Sequence, residues 1–428
     1  MKSVLVLGST GSIGSQAIEL IRRHANRFKV IGLSAAGSNI KRLAEQITLV
    51  NPPRIALADE RKVPELRRAL ARKRLPMPSV LTGPEAASDL ARLGADIVLN
   101  AISGYAGLES TVVALQSGSR LALANKESLV VGGTLVKSLA SPGQIVPVDS
   151  EHSAIAQCLR TGRSSEVSRL ILTASGGPFR GWNRKSLSKV TVEQALSHPT
   201  WNMGRVITIN SATMVNKGME LIEAGVLFGV DWDAIDVVVH PQSVVHSMVE
   251  FIDGATVAQC SPPDMALPIA LGLSWPKRLS DVSNTFDWTR SASWTFEPVD
   301  NQTFPAVELA RKVGRAGWTV PAVFNAANEV LVEAFCEHRI PFLAISDGLS
   351  IVVERYLASA DWAATQAFAH TPAGRSRLSR LTVADIAQAD DWGRAAANSL
   401  VNQVAEEDIQ DSLPGMTGPM LRASRLSG

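Results

Sequence analysis

A glycine-rich turn near the start of the chain is the feature that most constrains the fold. The turn, GSTGSIG at residues 8–14, follows the apolar run of residues 4–7 and precedes a helical pattern that includes Ala17, Ile18 and Ile21. Strand, glycine turn and helix in this order are typical of dinucleotide-binding domains, since glycines let the backbone approach a pyrophosphate and the helix N-terminus favours its charge. Ser9 stands where the strict pattern has a second glycine, so an ordinary loop is the alternative.

The second strand pattern bears on which dinucleotide is bound. It covers residues 29–34 and ends without the Asp or Glu that would hold a ribose 2′-hydroxyl. Residues 36–39 (AGSN) follow, with Lys41 and Arg42 close behind. Neutral donors and two cations suit a 2′-phosphate, which favours NADP over NAD.

Strand and helix patterns alternate up to residue 149 and predict a parallel, doubly wound sheet. The strand at residues 120–124 runs into Lys126. Because open sheets of this kind bind ligands at the carboxyl ends of their strands, Lys126 is a candidate site residue. The alternative is a surface lysine at a strand end.

Two carboxylates follow the last of these strands, in PVDSEH at residues 147–152. On an extended backbone Asp149 and Glu151, two residues apart, project to the same side. Adjacent anions are stabilised by a cation between them, and oxygen-only ligands suit Mg²⁺ or Mn²⁺. The alternative is an exposed segment that caps the next helix through Asp149 or Ser150.

A helix predicted to begin at the N-cap Ser211 would bring a third carboxylate. One of its faces is an apolar stripe, and the opposite face carries Asn216, Lys217 and Glu220. Gly218 lowers helix stability by about 1 kcal/mol relative to alanine. Such a loss of stability is expected near a ligand, which favours a ligand-binding face over a solvated one. Glu220 is therefore the candidate third ligand of the divalent ion.

The region between these two patterns predicts an anion-binding turn and a lid. Ser175 lies in TASGGPFR, whose small residues can present amides and a hydroxyl to an anion. Residues 175–205 mix Gly, Pro, Trp and His with little periodicity, which is typical of a lid. Trp201 would cover a flat cofactor ring, or else anchor an ordinary loop to the core.

Composition excludes several classes of protein. The 428 residues include 46% hydrophobic and 19% charged residues, as in ordinary globular proteins, and the net charge of +2 provides no field that would recruit nucleic acid or an acidic membrane. Three widely spaced cysteines indicate neither a disulfide framework nor a zinc site. No signal peptide or membrane span is recognised, so a cytoplasmic protein with neither nucleic-acid nor membrane partners is expected.

The patterns divide the chain into an α/β fold of three parts. We expect a Rossmann-type dinucleotide-binding domain, a central α+β catalytic domain with its lid, a linker rich in proline and polar residues, a C-terminal helical bundle and a disordered tail. Their predicted bounds are residues 1–149, 150–280 with the lid at about 175–205, 281–305, 306–405 and 406–428.

Taken together, the motifs resemble the 1-deoxy-D-xylulose 5-phosphate reductoisomerase family from residue 8 to about residue 400. The shared motifs, in chain order, are GSTGSIG, LANKESLV, PVDSEH, TASGGPFR, HPTWNMG, NSATMVNKGME, HPQSVVHSMV, PPDM and NAANE. The resemblance implies an NADPH- and divalent-metal-dependent oxidoreductase and isomerase of non-mevalonate isoprenoid synthesis. It would rearrange 1-deoxy-D-xylulose 5-phosphate, by a retro-aldol step or a 1,2-shift, and reduce it to 2-C-methyl-D-erythritol 4-phosphate. A cytoplasmic homodimer of V-shaped subunits is implied as well.

The resemblance also implies a role for each site residue. Metal ligands would be Asp149, Glu151 and Glu220, and the catalytic residues Lys126 and Glu151. The substrate would contact Lys126, Ser150, Glu151, Ser175, His198, Ser211, Asn216, Lys217 and Glu220, and NADPH would contact Thr10, Gly11, Ser12, Ile13, Gly37, Asn39, Asn125, Glu127 and Gly204.

Two positions depart from the family pattern, and two other functions remain open. Ser38 stands where many relatives have Lys or Arg beside the 2′-phosphate, which leaves Lys41 or Arg42 as substitutes, and Asn210 replaces a frequent Asp. A plain NADP-dependent dehydrogenase would share the first 130 residues but would need no metal. A non-enzymatic NADPH sensor would have no use for Lys126 and the three carboxylates.

Overall fold

The computed structural model of the protein describes residues 1–201, 203–363 and 381–412. Its strands are β1 (Lys2–Leu7), β2 (Phe28–Ala35), β3 (Arg54–Leu57), β4 (Ser79–Thr82), β5 (Ile97–Asn100), β6 (Arg120–Leu123), β7 (Ile145–Pro147), β8 (Val167–Ala174), β9 (Ile235–Val239), β10 (Val245–Phe251), β11 (Thr256–Cys260) and β12 (Glu297–Pro298).

In chain order, the helices of the described residues are α1 (Ser12–Arg23), α2 (Ile40–Val50), α3 (Val63–Arg72), α4 (Ala86–Arg92), α5 (Leu108–Gln116), α6 (Lys126–Leu139), α7 (Ser150–Cys158), α8 (Arg184–Leu187), α9 (Val192–Leu196), α10 (Arg205–Ala212), α11 (Val215–Phe228), α12 (Ala266–Ser274), α13 (Ala306–Ala316), α14 (Val320–Cys336), α15 (Leu343–Leu357) and α16 (Val383–Ser412).

A seven-stranded parallel sheet forms the N-terminal layer of the described chain, in the order β4-β3-β2-β1-β5-β6-β7. The strands at its centre are mainly apolar and buried, as expected for a sheet covered on both faces. Strand order reverses between β1 and β5, and in open sheets the crevice at such a reversal is where ligands bind. The predicted α/β class and the Rossmann-type N-terminal domain are confirmed.

The turn after β1 packs tightly against the end of β5 at this reversal. Gly8 has φ of +73°, and a Cβ atom added there would lie 2.5 Å from the carbonyl oxygen of Ala101. Only glycine fits a left-handed residue with backbone at that distance. Close approach of the two strand ends therefore explains the first glycine of the turn.

A five-stranded mixed sheet forms the central layer, in the order β11-β10-β8-β9-β12. β8 and β9 are parallel, and the remaining pairs are antiparallel. Helix α7 packs on β10 and β11, while α11 lies between α6 of the first layer and α13 of the C-terminal helices. The metal- and substrate-site candidates of the sequence fall on the elements that join these layers.

The C-terminal helices α13 to α16 pack on one another and on α10 and α6. Helix α16 continues to Ser412, so the tail predicted from residue 406 begins as helix, and the rest of that tail lies outside the described residues. Helix α12 packs on α1 and β6 and shares their core, although its residues fall within the predicted catalytic domain. Among the described residues, no helix is both long and apolar enough to cross a membrane.

Candidate active site

Five charged side chains from three segments meet beside a cavity of about 380 Å³. Lys126 begins α6 directly after β6, and Asp149 and Glu151 lie at the start of α7 directly after β7. Lys217 and Glu220 project from α11. The carboxyl ends of two neighbouring parallel strands thus place three of the five groups, as expected for an open sheet.

Asp149 caps α7 and also pairs with Lys126. Its Oδ1 accepts hydrogen bonds from the backbone amides of Glu151 (3.1 Å) and His152 (3.3 Å), so it is the N-cap. Its Oδ2 lies 3.2 Å from the Lys126 ammonium. The extended backbone predicted through residue 151 is wrong, because the cap starts the helix at Ser150; one helical turn, not a pleat, brings Glu151 beside Asp149.

The helix predicted from Ser211 is in fact two helices. Ser211 lies in the last turn of α10, Thr213 donates its hydroxyl to the Ile209 carbonyl (3.0 Å), and Met214 then adopts the left-handed conformation with φ of +62° before α11 begins. Met214 is only 4% exposed, and burial of its side chain helps to offset the cost of that conformation. Ser211 is therefore not the N-cap, and no Gly or Pro marks the break in the sequence.

The five charged groups form a continuous ionic network. The Lys126 ammonium lies 2.9 Å from Glu220 Oε1, and the Lys217 ammonium lies 2.7 Å from Glu151 Oε1 and also contacts Glu220 Oε2. The Asn216 amide donates to Glu220 Oε1 at 2.6 Å. Glu220 is 1% exposed and Lys217 4% exposed, so the pairs are desolvated and each charge depends on its partners.

Burial and neighbouring charge set the protonation of these groups. Burial lowers the pKa of Lys126, but the Glu220 and Asp149 carboxylates outweigh it and leave the pKa well above its ordinary value. Burial also opposes charge on Asp149, yet Lys126 and His152 hold that pKa well below its ordinary value. Burial and repulsion from Glu220 raise the pKa of Glu151 against the attraction of Lys217. Glu151 is thus suited to take up and release a proton.

Two buried residues beside the network were missed by the sequence analysis. His152, fully buried, places Nδ1 2.8 Å from Asp149 Oδ1 and 3.4 Å from Glu223 Oε2, and its Nε2 lies 3.0 Å from the Glu220 carbonyl oxygen. Despite burial, Glu223 and Asp149 raise the pKa of His152 to about 9, while burial raises the pKa of Glu223 to about 8. The sequence signal was a histidine directly after Glu151 and a glutamate three residues after Glu220.

Ser175, which also lines the cavity, contacts the lid. The Ser175 hydroxyl lies 3.0 Å from Nε2 of His198, whose Nδ1 accepts the backbone amides of Thr200 (3.1 Å) and Trp201 (3.0 Å). An Nδ1 that accepts must be unprotonated, so His198 donates through Nε2 to the Ser175 oxygen. Burial lowers the pKa of His198, which favours this neutral form.

Every residue predicted to contact substrate or metal lies on the wall of this one cavity. In chain order these are Lys126, Asp149, Ser150, Glu151, Ser175, His198, Ser211, Asn216, Lys217 and Glu220. Trp201 and Met203 of the lid line it too, as do Pro263 and Met265 before α12. Direct contact of each residue with a ligand stays a prediction.

The predicted cofactor residues are more dispersed. Of that set, Ser12, Ile13 and Gly204 line the cavity. Asn125 uses its side-chain amide to hold the neighbouring loop, donating to the carbonyls of Ile102 (2.6 Å) and Gly104 (2.9 Å), while its Oδ1 caps α6. The remaining predicted contacts are Thr10 and Gly11 on the turn after β1, Gly37 and Asn39 on the turn after β2, and Glu127 in the first turn of α6.

The donor set fits a hard divalent cation. One oxygen from each of Asp149, Glu151 and Glu220 can be chosen so that all lie within 4.8 Å of one another. Three carboxylates that offer only oxygen ligands favour Mg²⁺ or Mn²⁺. Asp149, His152 and Glu223 are equally close to one another, but both ring nitrogens of His152 are already hydrogen-bonded, so that set is unsuited to a metal.

Gly218 is explained by the close packing of α11 on α13. A Cβ atom there would lie 2.8 Å from the Ala310 Cβ and 2.9 Å from the Ala306 carbonyl oxygen of α13. The absence of a side chain lets α11 and α13 approach closely. Our interpretation that this glycine reflects a nearby ligand is therefore wrong.

Comparison with known proteins places the chain in a family. Three family models match it: "1-deoxy-D-xylulose 5-phosphate reductoisomerase" over residues 4–133, the C-terminal domain of that enzyme over residues 145–228, and "DXP reductoisomerase C-terminal domain" over residues 260–396. Together they cover nearly all of the first sheet, strands β8 and β12 of the second sheet, and most of the helical region.

Relatives and solved structures agree with these matches. The 1-deoxy-D-xylulose 5-phosphate reductoisomerase of Cutibacterium acnes is 57% identical over 93% of this chain and 98% of its own, and that of Streptomyces coelicolor is 53% identical over 95% and 94%. The Zymomonas mobilis enzyme solved with NADPH has a TM-score of 0.81 at 40% identity, covering 94% of this chain and 99% of its own. A DOX-P reductoisomerase solved with NADPH, fosmidomycin and magnesium has a TM-score of 0.83 at 35% identity, with the same coverage. The chain belongs to the 1-deoxy-D-xylulose 5-phosphate reductoisomerase family.

Proposed function

We propose that this protein converts 1-deoxy-D-xylulose 5-phosphate to 2-C-methyl-D-erythritol 4-phosphate, using NADPH and a divalent metal ion. The observation that carries the proposal is the single cavity that joins the carboxylate–lysine network to the helix start after the glycine turn. The family membership of the chain supports the same reaction.

The carboxylates and lysines have separate roles in this proposal. Asp149, Glu151 and Glu220 would hold the metal ion. When bound, a divalent ion supplies positive charge that offsets negative charge developing on substrate oxygens, and NADPH supplies the hydride. Lys126 adds a second fixed positive charge, and Glu151 manages a proton during the rearrangement.

The phosphate of the substrate would lie in the same cavity, beside the carboxylate–lysine network. Ser175, Ser211, Asn216 and Lys217 supply hydroxyl, amide and ammonium donors around one space. Because the Ser175 oxygen already accepts from His198, its own proton is free to point at a phosphate oxygen. Holding this remote group fixes the reacting carbons and joins the lid to the site, which keeps water away from the aldehyde that is reduced.

Oxidation of NADPH by the purified protein tests the reaction. Absorbance of NADPH should fall on addition of 1-deoxy-D-xylulose 5-phosphate with Mg²⁺, and the fall should stop when the metal is chelated. Reaction that persists after exhaustive metal removal would favour a plain dehydrogenase. NADPH binding with no oxidation under any of these conditions would favour a sensor.

Two further parts of the proposal are a homodimer and a cytoplasmic location. An aromatic cluster of Phe286, Trp288 and Trp294 supports the dimer: the ring centroids of Trp288 lie 5.4 Å and 6.1 Å from the other two, yet Trp288 is 72% exposed. Exposed clusters of large apolar groups mark interfaces. Light scattering of the wild type and of Trp288→Ser would test the dimer, and a monomeric wild type would reject it.

The cysteines support the cytoplasmic location. Cys158, Cys260 and Cys336 are unpaired, which suits a reducing compartment.

A further inference from the structure

The NAANE motif of α14 has no role in the site described so far, yet it reaches the site from the C-terminal helices. Asn328 is fully buried, and its amide Nδ2 donates to Oδ1 of Asn210 in α10 at 3.0 Å. Asn210 is 5% exposed. Within the described residues Asn328 Oδ1 has no hydrogen-bond partner, so this bond is the one its buried side-chain amide makes there. Burying an amide with so few hydrogen-bond partners lowers the stability of the fold, so a positional role of this side chain is expected.

What Asn210 fixes is the last turn of α10. Ser211, the next residue, lines the cavity, and its carbonyl oxygen would lie 2.9 Å from a Cβ atom added at Gly177. Gly177 follows Ser175 in the anion-binding turn and has φ of +64°. The end of α10 is thus in backbone contact with that turn, so a shift of α10 changes the distance between Ser175 and Ser211.

The bond adds a polar tie to the packing of α10 on α9, α11 and α14. The helix ends at the left-handed Met214, so it cannot draw rigidity from α11 through continuous helical hydrogen bonds. At its start Val206 and Ile207 are 42% and 45% exposed. A buried tie to α14 therefore supplies an anchor at the end of α10 that faces the phosphate donors.

We propose that Asn328 is a positioning residue that acts through Asn210: it holds the end of α10 so that Ser211 and Ser175 converge on the substrate phosphate. The inference rests on the proposed function, since it concerns the same phosphate-binding end of the cavity. It assigns the helical domain an indirect part in substrate binding, although none of its described residues lines the cavity.

A set of variants of the whole enzyme tests the tie. Asn328→Leu removes the donor, and we expect inorganic phosphate to bind about tenfold more weakly, equivalent to about 1.4 kcal/mol. The KM for 1-deoxy-D-xylulose 5-phosphate should rise by a similar factor while the Kd for NADPH stays unchanged. Asn210→Asp keeps an acceptor for Asn328 and should bind phosphate as the wild type does. The double variant Asn210→Leu/Asn328→Leu should lose no more than one single variant, since both changes break one bond.

Glu329→Gln is the matched control on the same turn of α14. It weakens the ion pair of Glu329 with Arg394 without touching Asn210, and phosphate affinity should be retained. If Asn328→Leu fails to fold, Asn328→Ser, whose hydroxyl is too short to reach Asn210, replaces it with the same expectation. Wild-type phosphate affinity in the variant, or equal losses of phosphate and NADPH affinity, would overturn the inference and leave the proposed function intact. A wild type that binds no phosphate and oxidises no NADPH would overturn both.

Discussion

The glycine turn after β1 and the carboxylate–lysine network lie in one cavity but are built in opposite ways. The turn is made of consecutive residues whose backbone does the work, and its outline depends on glycines at fixed spacing. The network is made of side chains from three segments, Lys126, Asp149 with Glu151, and Lys217 with Glu220. The comparison teaches that a local motif tolerates change in the rest of the fold better than a site assembled from three segments that are distant in the chain.

The network should be broken most severely by Glu220→Gln. The change removes a buried charge that pairs with both lysines and is a proposed metal ligand, so we expect turnover to fall on the order of 10³-fold. Affinity for Mn²⁺, measured by electron paramagnetic resonance, should fall as well. NADPH affinity should survive, because the glycine turn lies elsewhere; unchanged turnover at saturating Mg²⁺ would reject the metal assignment.

The glycine turn should be broken by Gly14→Ala and not by Gly11→Ala. A Cβ atom at Gly14 would lie 2.4 Å from the Gly8 carbonyl oxygen, whereas at Gly11 the nearest atom would be 3.4 Å away. Overpacking of this kind costs about 1 to 3 kcal/mol, which thermal and urea unfolding should detect for Gly14→Ala alone. NADPH affinity should fall with it while Mn²⁺ affinity is kept. Equal stability of the two variants would contradict the steric argument.

The smallest effect is expected where the lid meets the phosphate-binding turn. The pKa of His198 is lowered from 6.5 by burial, so its neutral form stabilises the folded lid fully above that pH, and the contribution is lost as the pH falls through the lowered value. With one proton involved, the lid equilibrium should change by no more than about tenfold per pH unit. The fluorescence difference between the wild type and Trp201→Phe, followed from pH 8 to 5, should report the change.

His198→Gln supplies the control for that titration. A glutamine at this position does not titrate, so the acid-dependent step should vanish. Persistence of the step in this variant would show that another group governs the lid.

The sequence could predict the strands and helices of the N-terminal sheet because apolar runs and glycines act there at short range. Its identification of Asp149, Glu151 and Glu220 as neighbours depended on the chemistry of a shared cation, and the three do lie together. The prediction failed where long-range packing decides: the break at Met214, the reason for Gly218 and the buried pair of His152 and Glu223. Neither the break at Met214 nor the packing of Gly218 has a local signature, and the positions of His152 and Glu223 next to site residues do not by themselves show that the two side chains meet.

By itself the sequence determined the strand–turn–helix start, the alternation that makes a parallel sheet, and the residue types of the site, because each depends on neighbours a few positions apart. The tertiary structure decided which faces meet. In the tertiary structure α11 packs between α6 and α13, and α12 packs in the core of the N-terminal domain with α1 and β6. Asn328 is hydrogen-bonded to Asn210. Those contacts form between helix and strand surfaces whose residues are far apart in the chain. The spacing of residues along the chain does not show whether two such surfaces have complementary shapes.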